Sequence, residues 1–394
     1  MNYKIGFIMY FLVGFSLSHL LGQRCGTTSP LVPESSHKNI TKSANKRGIK
    51  EFNIVFHIVF QNEEENIPDS RIYSQLEVLN RIFQHYDPRK NAGIPKEFRD
   101  NGKTPGIKFC LASIDPKGRK TNGITRTKTT IDDIGCRNEF GRKNIMTSLL
   151  GGIDPWDPKK YVNIFVGSRK NCPPGEAIFP WQATDILDGI IIDPRYFGLN
   201  SNNFPFHLGY TLIHEFGHYA GLLHLSVNSD PADCSQDDQI NDTPPQSVNY
   251  FDCPDYPQYS CNRSSMFMNF MSLVNDPCMQ LFTEEQVTRM HQYLELYRTD
   301  LANLNCQSSI AKALSIRQLP QHGNQWLIES EDMTIWSSKI RLWDLTGKMI
   351  VEEEFIENQR ILFPRNSFNL ESSIYLIQIV NGEFNTTFKV ISMP

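Results

Sequence analysis

The 394-residue chain has no strong excess of either charge: 39 Lys and Arg stand against 43 Asp and Glu, a formal net charge of -4. With a pI near 6.2, this excludes the basic footprint of a nucleic-acid partner and the polybasic patch of a membrane-surface protein. No internal repeat is present, which argues against a repeat array. Beyond the N-terminus no stretch is long and apolar enough to cross a bilayer, so no transmembrane segment is expected in a mature chain. Hydrophobic periodicity is missing from residues 226–280. A loop of that length is uncommon unless it is functional or stapled.

Against these absences stand two local signals. Residues 1–23 read as an export signal, with Lys4 as the charged start and an apolar stretch from Ile5 to Leu17. No Ala-x-Ala cleavage site follows, and a membrane anchor is the competing reading. Arg24 before Cys25 argues against lipoprotein processing, which takes small residues there. The nine cysteines fit an oxidising compartment, and their odd number leaves at least one unpaired.

Texture divides the chain into a loosely ordered pro-segment at 24–49, a main domain at 50–306 that carries the motif described below, a linker at 307–314 and a terminal domain at 315–394. Strands are expected around Phe52–Phe60, Ile107–Ile114, Tyr161–Val166 and Gly189–Asp193, and a helix over 71–86. A strong amphipathic helix is expected from Phe206, ending at Gly221. Another is expected over Phe282–Leu304, opened by Thr283 with Glu285 and Gln286 as capping candidates. Strands alternating with helices imply an α/β or α+β domain with a mixed, twisted sheet. The last 80 residues alternate as strands around Lys339–Trp343 and Ile374–Val380, with turn signals at Leu345–Lys348 and Asn381-Gly382. They read as a small antiparallel β-sandwich, in which Trp326, Trp336 and Trp343 are core or surface residues.

The chemistry concentrates in His214-Glu-Phe-Gly-His218-Tyr-Ala-Gly221-Leu-Leu-His224. Positions i and i+4 share a helical face, so His214 and His218 can aim at one point. His224 lies too far along to share that face. Gly221 permits the positive φ that ends the helix and turns the chain back. Three imidazoles suit zinc with a fourth position left open, and Glu215 is placed to act on a water there as general base. Zinc would lower the pKa of that water to about 7 and polarise the scissile carbonyl.

This motif resembles that of the metzincin metallopeptidases, and Met271 matches their turn methionine. Asn269-Phe-Met271, Asp276, Cys278 and Phe282-Thr-Glu-Glu-Gln286 resemble the pappalysin family, over roughly residues 50–305. The resemblance implies a metzincin-type domain and a secreted zinc endopeptidase acting on proteins or peptides. It further implies crossed disulfides Cys234–Cys261 and Cys253–Cys278. It points to Asp237, Asp238 and Thr243 as calcium ligands, where an ordinary acidic turn is the competing reading. It places Asp276 at the base of a pocket favouring Arg or Lys after the cleaved bond. It gives Cys25, in Cys25-Gly26-Thr27, the part of a pro-segment thiolate that closes the zinc's open position in a latent zymogen. A disulfide with Cys110, Cys136, Cys172 or Cys306 competes for Cys25, and Lys46-Arg47 is the candidate activation site. One departure is Leu273, where family members often carry a tyrosine that helps stabilise the transition state. The C-terminal domain resembles the sorting domain of type IX secretion, which implies that machinery as a partner and a secreted or surface location. The rival classes are a catalytically weak, metal-stabilised adhesion protein and a zinc enzyme acting on a non-peptide bond.

Overall fold

The computed structural model describes residues 24–27, 50–138, 143–226, 233–301, 314–318, 325–330, 338–355, 360–364, 370, 374–380 and 385–391. The export signal, Lys46-Arg47, Cys306, Trp336 and the turn at Asn381-Gly382 lie outside the described residues, as does the linker up to residue 313.

A six-stranded sheet organises the N-terminal part. Its central strand β1 (Lys50–Phe60) is aromatic and β-branched almost throughout, as a strand covered on both faces must be. Along one edge β1 pairs first with β2 (Ile107–Leu111) and then with β3 (Ile124–Lys128), both parallel to it. On the other edge run β4 (Val162–Val166) and β6 (Ile190–Ile192), again parallel, and then β5 (Gly175–Ala177), antiparallel. The sheet is therefore mixed, as expected. Strands β3 and β5 escaped the sequence reading because they are short and carry few apolar residues. β5 forms the sheet edge, which becomes the rim of the site.

Helix α1 (Asp69–Asn80) buries Ile72, Leu76 and Leu79 on the sheet face presented by Phe52, Ile54, Phe56 and Ile58. A short helix α2 spans Lys96–Arg99. Helix α3 (Tyr210–Tyr219) packs on the same face through Leu212, Ile213 and Phe216. It starts four residues later than its hydrophobic pattern suggests. Gly209 has φ +75° and Leu208 bridges to Leu199, so residues 206–209 are extended or turned before the helix begins. Helix α4 (Glu284–Tyr297) opens with a capping box between Thr283 and Gln286 and ends short of Leu304. Glu285 is not part of the box; its amide donates to Asp242.

The irregular segment after α3 carries one small antiparallel pair, β7 (Tyr259–Ser260) and β8 (Arg263–Ser264), and is held by Cys234–Cys261 and Cys253–Cys278. Each closes a loop of about 25 residues, worth about 3 kcal/mol in the chain-entropy account. A third bond joins Cys136 and Cys172, Cys110 is also disulfide-bonded, and Cys25 is free.

The C-terminal part holds two antiparallel sheets. One joins β9 (Leu314–Gln318), β10 (Trp326–Ser330) and β13 (Arg360–Phe363). The other joins β11 (Ser338–Asp344), β12 (Met349–Phe355), β14 (Ile374–Val380) and β15 (Asn385–Ile391). Trp326, Ile328, Ile340, Leu342, Ile377 and Ile379 pack in one core, the sandwich read from the alternation. Trp326 is core, whereas the Trp343 indole N–H donates to Gln378.

Candidate metal centre

Helix α3 supplies His214 and His218 one turn apart, and both are fully buried. Gly221, at φ +93°, turns the chain so that His224 returns to the same point. A side chain at Gly221 would also strike the Tyr293 ring at 2.8 Å. The three Nε2 atoms lie 3.0–3.2 Å apart. Tetrahedral zinc with imidazole ligands sets nitrogens at roughly 3.3 Å from one another, so the spacing fits. The other ring nitrogens are engaged: His214 Nδ1 with the Phe270 carbonyl and His218 Nδ1 with that of Leu222, both at 2.7 Å. A carbonyl accepts only from N–H, which puts the proton on Nδ1 and leaves Nε2 a lone pair.

Burial lowers the pKa of all three imidazoles: His224 to about 4, and His214 and His218 well below the usual value, where neighbouring histidines add to the effect. Neutral rings are the form that ligates a metal. Beneath them Asn269–Ser272 forms a turn closed by Ser272 N–H to Asn269 O. It puts the Met271 sulfur against Gly217 of α3, 2.3 Å from where a Cβ would stand, so only glycine fits at 217. The Asn269 amide is held by Gln286, which fixes the turn to the cap of α4.

Glu215 faces β5. A side chain at Gly175 would collide with its Oε1 at 2.5 Å, so the strand approaches the carboxylate only because residue 175 is glycine. Burial pushes the Glu215 carboxyl up to about 7.

The N-terminal segment occupies this cleft. Residues 24–26 run parallel to β5, with Gly175 N–H donating to Arg24 O and Gly26 N–H donating to Gly175 O. Cys25 is buried, and its Sγ and the histidine nitrogens all lie within 4.8 Å of one another, the one such metal-holding group among the described residues. Burial, with Glu215 adding to it, raises the thiol well above its ordinary value. A bound cation would favour the thiolate instead. The Thr27 hydroxyl donates to Glu215 Oε2 and accepts from the Ala177 amide. On the other side of the cluster, Arg24 Nη2 donates to Asp276 Oδ1 and to the Val274 carbonyl, and its guanidinium lies 4.6 Å from the Phe206 ring centre. Asp276 also accepts from the Leu208 amide.

Of the calcium candidates, Asp238 and Thr243 meet: the Thr243 hydroxyl donates to Asp238 Oδ1 at 2.7 Å, while Asp238 Oδ2 is buried without a partner. Asp237 accepts the Gln239 amide. Burial pushes the Asp238 carboxyl up to about 7. Leu273 is buried and has no hydroxyl to offer.

Sequence reasoning missed Arg24, Thr27, Gly175 and the buried pair Arg298–Asp188. Arg298 also donates to the Tyr219 carbonyl and covers its ring at 3.7 Å, fixing the end of α3. Only the Cys-Gly-Thr signature at 25–27 hinted at any of these.

The family profile of peptidase M43, described as pregnancy-associated plasma protein-A, matches residues 152–295. A promirolysin mutant of Tannerella forsythia is 33% identical and superposes with a TM-score of 0.61 over 69% of this chain and 92% of its own. Mature mirolysin in complex with a cleaved peptide is 34% identical, with a TM-score of 0.58 over 66% of this chain and 100% of its own. The mouse protein pappalysin-1 is 34% identical over 191 residues, which are 43% of this chain and 11% of that much longer protein. An extracellular metalloprotease of Arthroderma otae is 28% identical over 245 residues, 61% of this chain and 77% of its own.

Proposed function

Since this chain belongs to the pappalysin family of metallopeptidases, we propose that it is a secreted zinc endopeptidase, made latent and selective for Arg or Lys after the cleaved bond. The metalloendopeptidase activity follows from the family; the residue roles, the latency and the selectivity are our reading.

The observation that carries it is the convergence of three buried Nε2 atoms, those of His214 and His218 left proton-free by their Nδ1 bonds to carbonyls, next to Glu215 on the same helix. His214, His218 and His224 hold the metal. Zinc, when bound, polarises the scissile carbonyl and makes water a nucleophile at neutral pH. Glu215 takes the proton of the attacking water and delivers it to the leaving amine. The β5 edge binds the substrate backbone by adding it as a strand. Asp276, at the bottom of a pocket walled by Phe206, holds the basic side chain. Met271 supports the histidines from below.

Latency is supported by the four residues at 24–27. Cys25 blocks the metal, Thr27 engages the general base, and Arg24 fills the basic pocket in the manner of a substrate side chain. Removal of the segment, with a cut near Lys46-Arg47 as the candidate, frees all three at once. Asp237, Asp238 and Thr243 are proposed to hold calcium, supported by the unpartnered buried oxygen of Asp238. The C-terminal sandwich is proposed as a type IX sorting domain, on the strength of its sequence cues.

The test is a casein digest by the secreted protein before and after loss of its N-terminal segment, with metal content measured. Chelator-sensitive cleavage after processing is the expected result. A processed protein that binds zinc but cleaves no peptide would favour the adhesion reading.

A further inference from the structure

The pro-segment places a side chain in the cleft at positions 24, 25 and 27, but not at 26. Gly26 faces away from the histidines. A Cβ there would stand 3.3 Å from Arg169 Nη2 and 3.5 Å from Pro173. Beyond that point opens a cavity of about 510 Å³, whose wall includes Gly26, Arg137, Arg169, Cys172 and Glu176. The Cys136–Cys172 bond ties its two flanking segments together, so the cavity has a braced wall.

Its charge is uneven. Three cations converge on one carboxylate: Arg137, Lys143 and Arg169 lie 2.6, 2.5 and 3.4 Å from Glu176. Burial pushes the Glu176 carboxyl up, yet Lys143, Arg169 and Arg137 together hold it below its ordinary value. Asp132 and Asp133 also line the cavity, but both are engaged. Asp132 pairs with Lys170, and Asp133 accepts from the Lys170 amide, the Ser168 hydroxyl and the Asn171 side chain. Arg169 is fully committed, bonding the Gly135 and Pro173 carbonyls. Arg137 gives its Nε and Nη2 to Glu176 Oε1, but its side chain is 53% exposed and its Nη1 has no partner among the described residues.

The order in space fixes which part of a substrate would enter. Arg24 lies in the Asp276 pocket and Cys25 at the metal cluster, so Gly26 lies beyond the cluster from that pocket. If the basic residue after the cleaved bond takes the place of Arg24, a residue at the place of Gly26 precedes the bond. We infer that this cavity is the subsite for the first or second residue before the cleaved bond, and that it takes an acidic side chain held by Arg137. The inference rests on the peptidase reading and its basic pocket.

The test is the cleavage profile of the processed protein on a proteome-derived peptide library, read by mass spectrometry. Wild type should show Asp and Glu enriched at one of the two positions before the cut, and Arg137→Glu should lower that enrichment by about tenfold, as charge-assisted bonds of this kind allow. Arg137→Gln should fall between the two and serves as the comparison if Arg137→Glu melts early. Cleavage before Arg and Lys should persist in all three. An acidic preference equal in wild type and both variants, or absent from wild type, overturns the subsite and leaves the peptidase standing. No cleavage by processed wild type sinks both.

Discussion

Arg24 and Asp276 are separated by 252 residues in sequence, yet Nη2 and Oδ1 lie 2.6 Å apart and neither side chain is exposed. Removing one partner of such a pair leaves a buried charge uncompensated, at about 3–5 kcal/mol. The same carboxylate is proposed to recognise substrate. Asp276→Ala should therefore loosen the pro-segment and, in the processed enzyme, reduce cleavage before Arg and Lys by about 100-fold or more. Limited proteolysis of the zymogen and a peptide-library profile read the two effects, and an unchanged profile would count against the pocket.

Cys25→Ala removes the thiol from the metal cluster while leaving the Arg24 and Thr27 contacts in place. The unprocessed variant should show measurable casein cleavage where unprocessed wild type shows none. Equal latency in both would mean that the backbone and Arg24 suffice.

Glu215→Ala should keep its zinc, since the three ring nitrogens are untouched, and lose about 10²–10⁴ in turnover, the range for a positioned general base. Metal analysis alongside a peptide assay distinguishes this from a loss of the centre.

Calcium should raise the melting temperature of the wild type and not that of Asp238→Ala. The buried Oδ2 that lacks a partner is the group a cation would satisfy. A thermal shift independent of calcium in both proteins would exclude the site.

His57 sits wholly inside the sheet, with Nδ1 against the Thr125 hydroxyl and Nε2 against the Asn163 amide oxygen. Burial lowers its pKa from 6.5 to about 4. The unfolded chain therefore binds the proton more readily than the folded one. The stability this gives is present above pH 6.5 and is lost as the pH falls towards 4, an amount of about 3 kcal/mol. Denaturant melts at pH 7 and pH 4.5 should show the drop, and His57→Gln should flatten it.

The local chemistry was legible in the sequence. His214, Glu215 and His218 follow helical spacing, Gly221 supplies the turn, and Thr283 with Gln286 caps α4; each depends on residues within one or two turns of one another. The alternation of β11 and β14 likewise announced a sandwich, because a strand with one buried face repeats every two residues. Resemblance supplied the pairing of Cys234 with Cys261 and of Cys253 with Cys278, where counting alone left three choices. The helix start at Tyr210 was not readable, because the Phe206 ring covers Arg24 and the Leu208 amide is given to Asp276 rather than to a helical turn.

What only the tertiary structure decided is who meets whom across the cleft. Nothing in the spacing of Arg24, Thr27, Gly175 and Asp276 sets them together, since no local period links residues so far apart. Their meeting depends on β5 lying at a sheet edge with open backbone groups, and on a glycine that lets the strand approach Glu215. The sequence by itself put His214 and His218 on one helical face and a turn at Gly221, because these depend on local geometry; the approach of Cys25 and Thr27 to that face is a property of the folded edge.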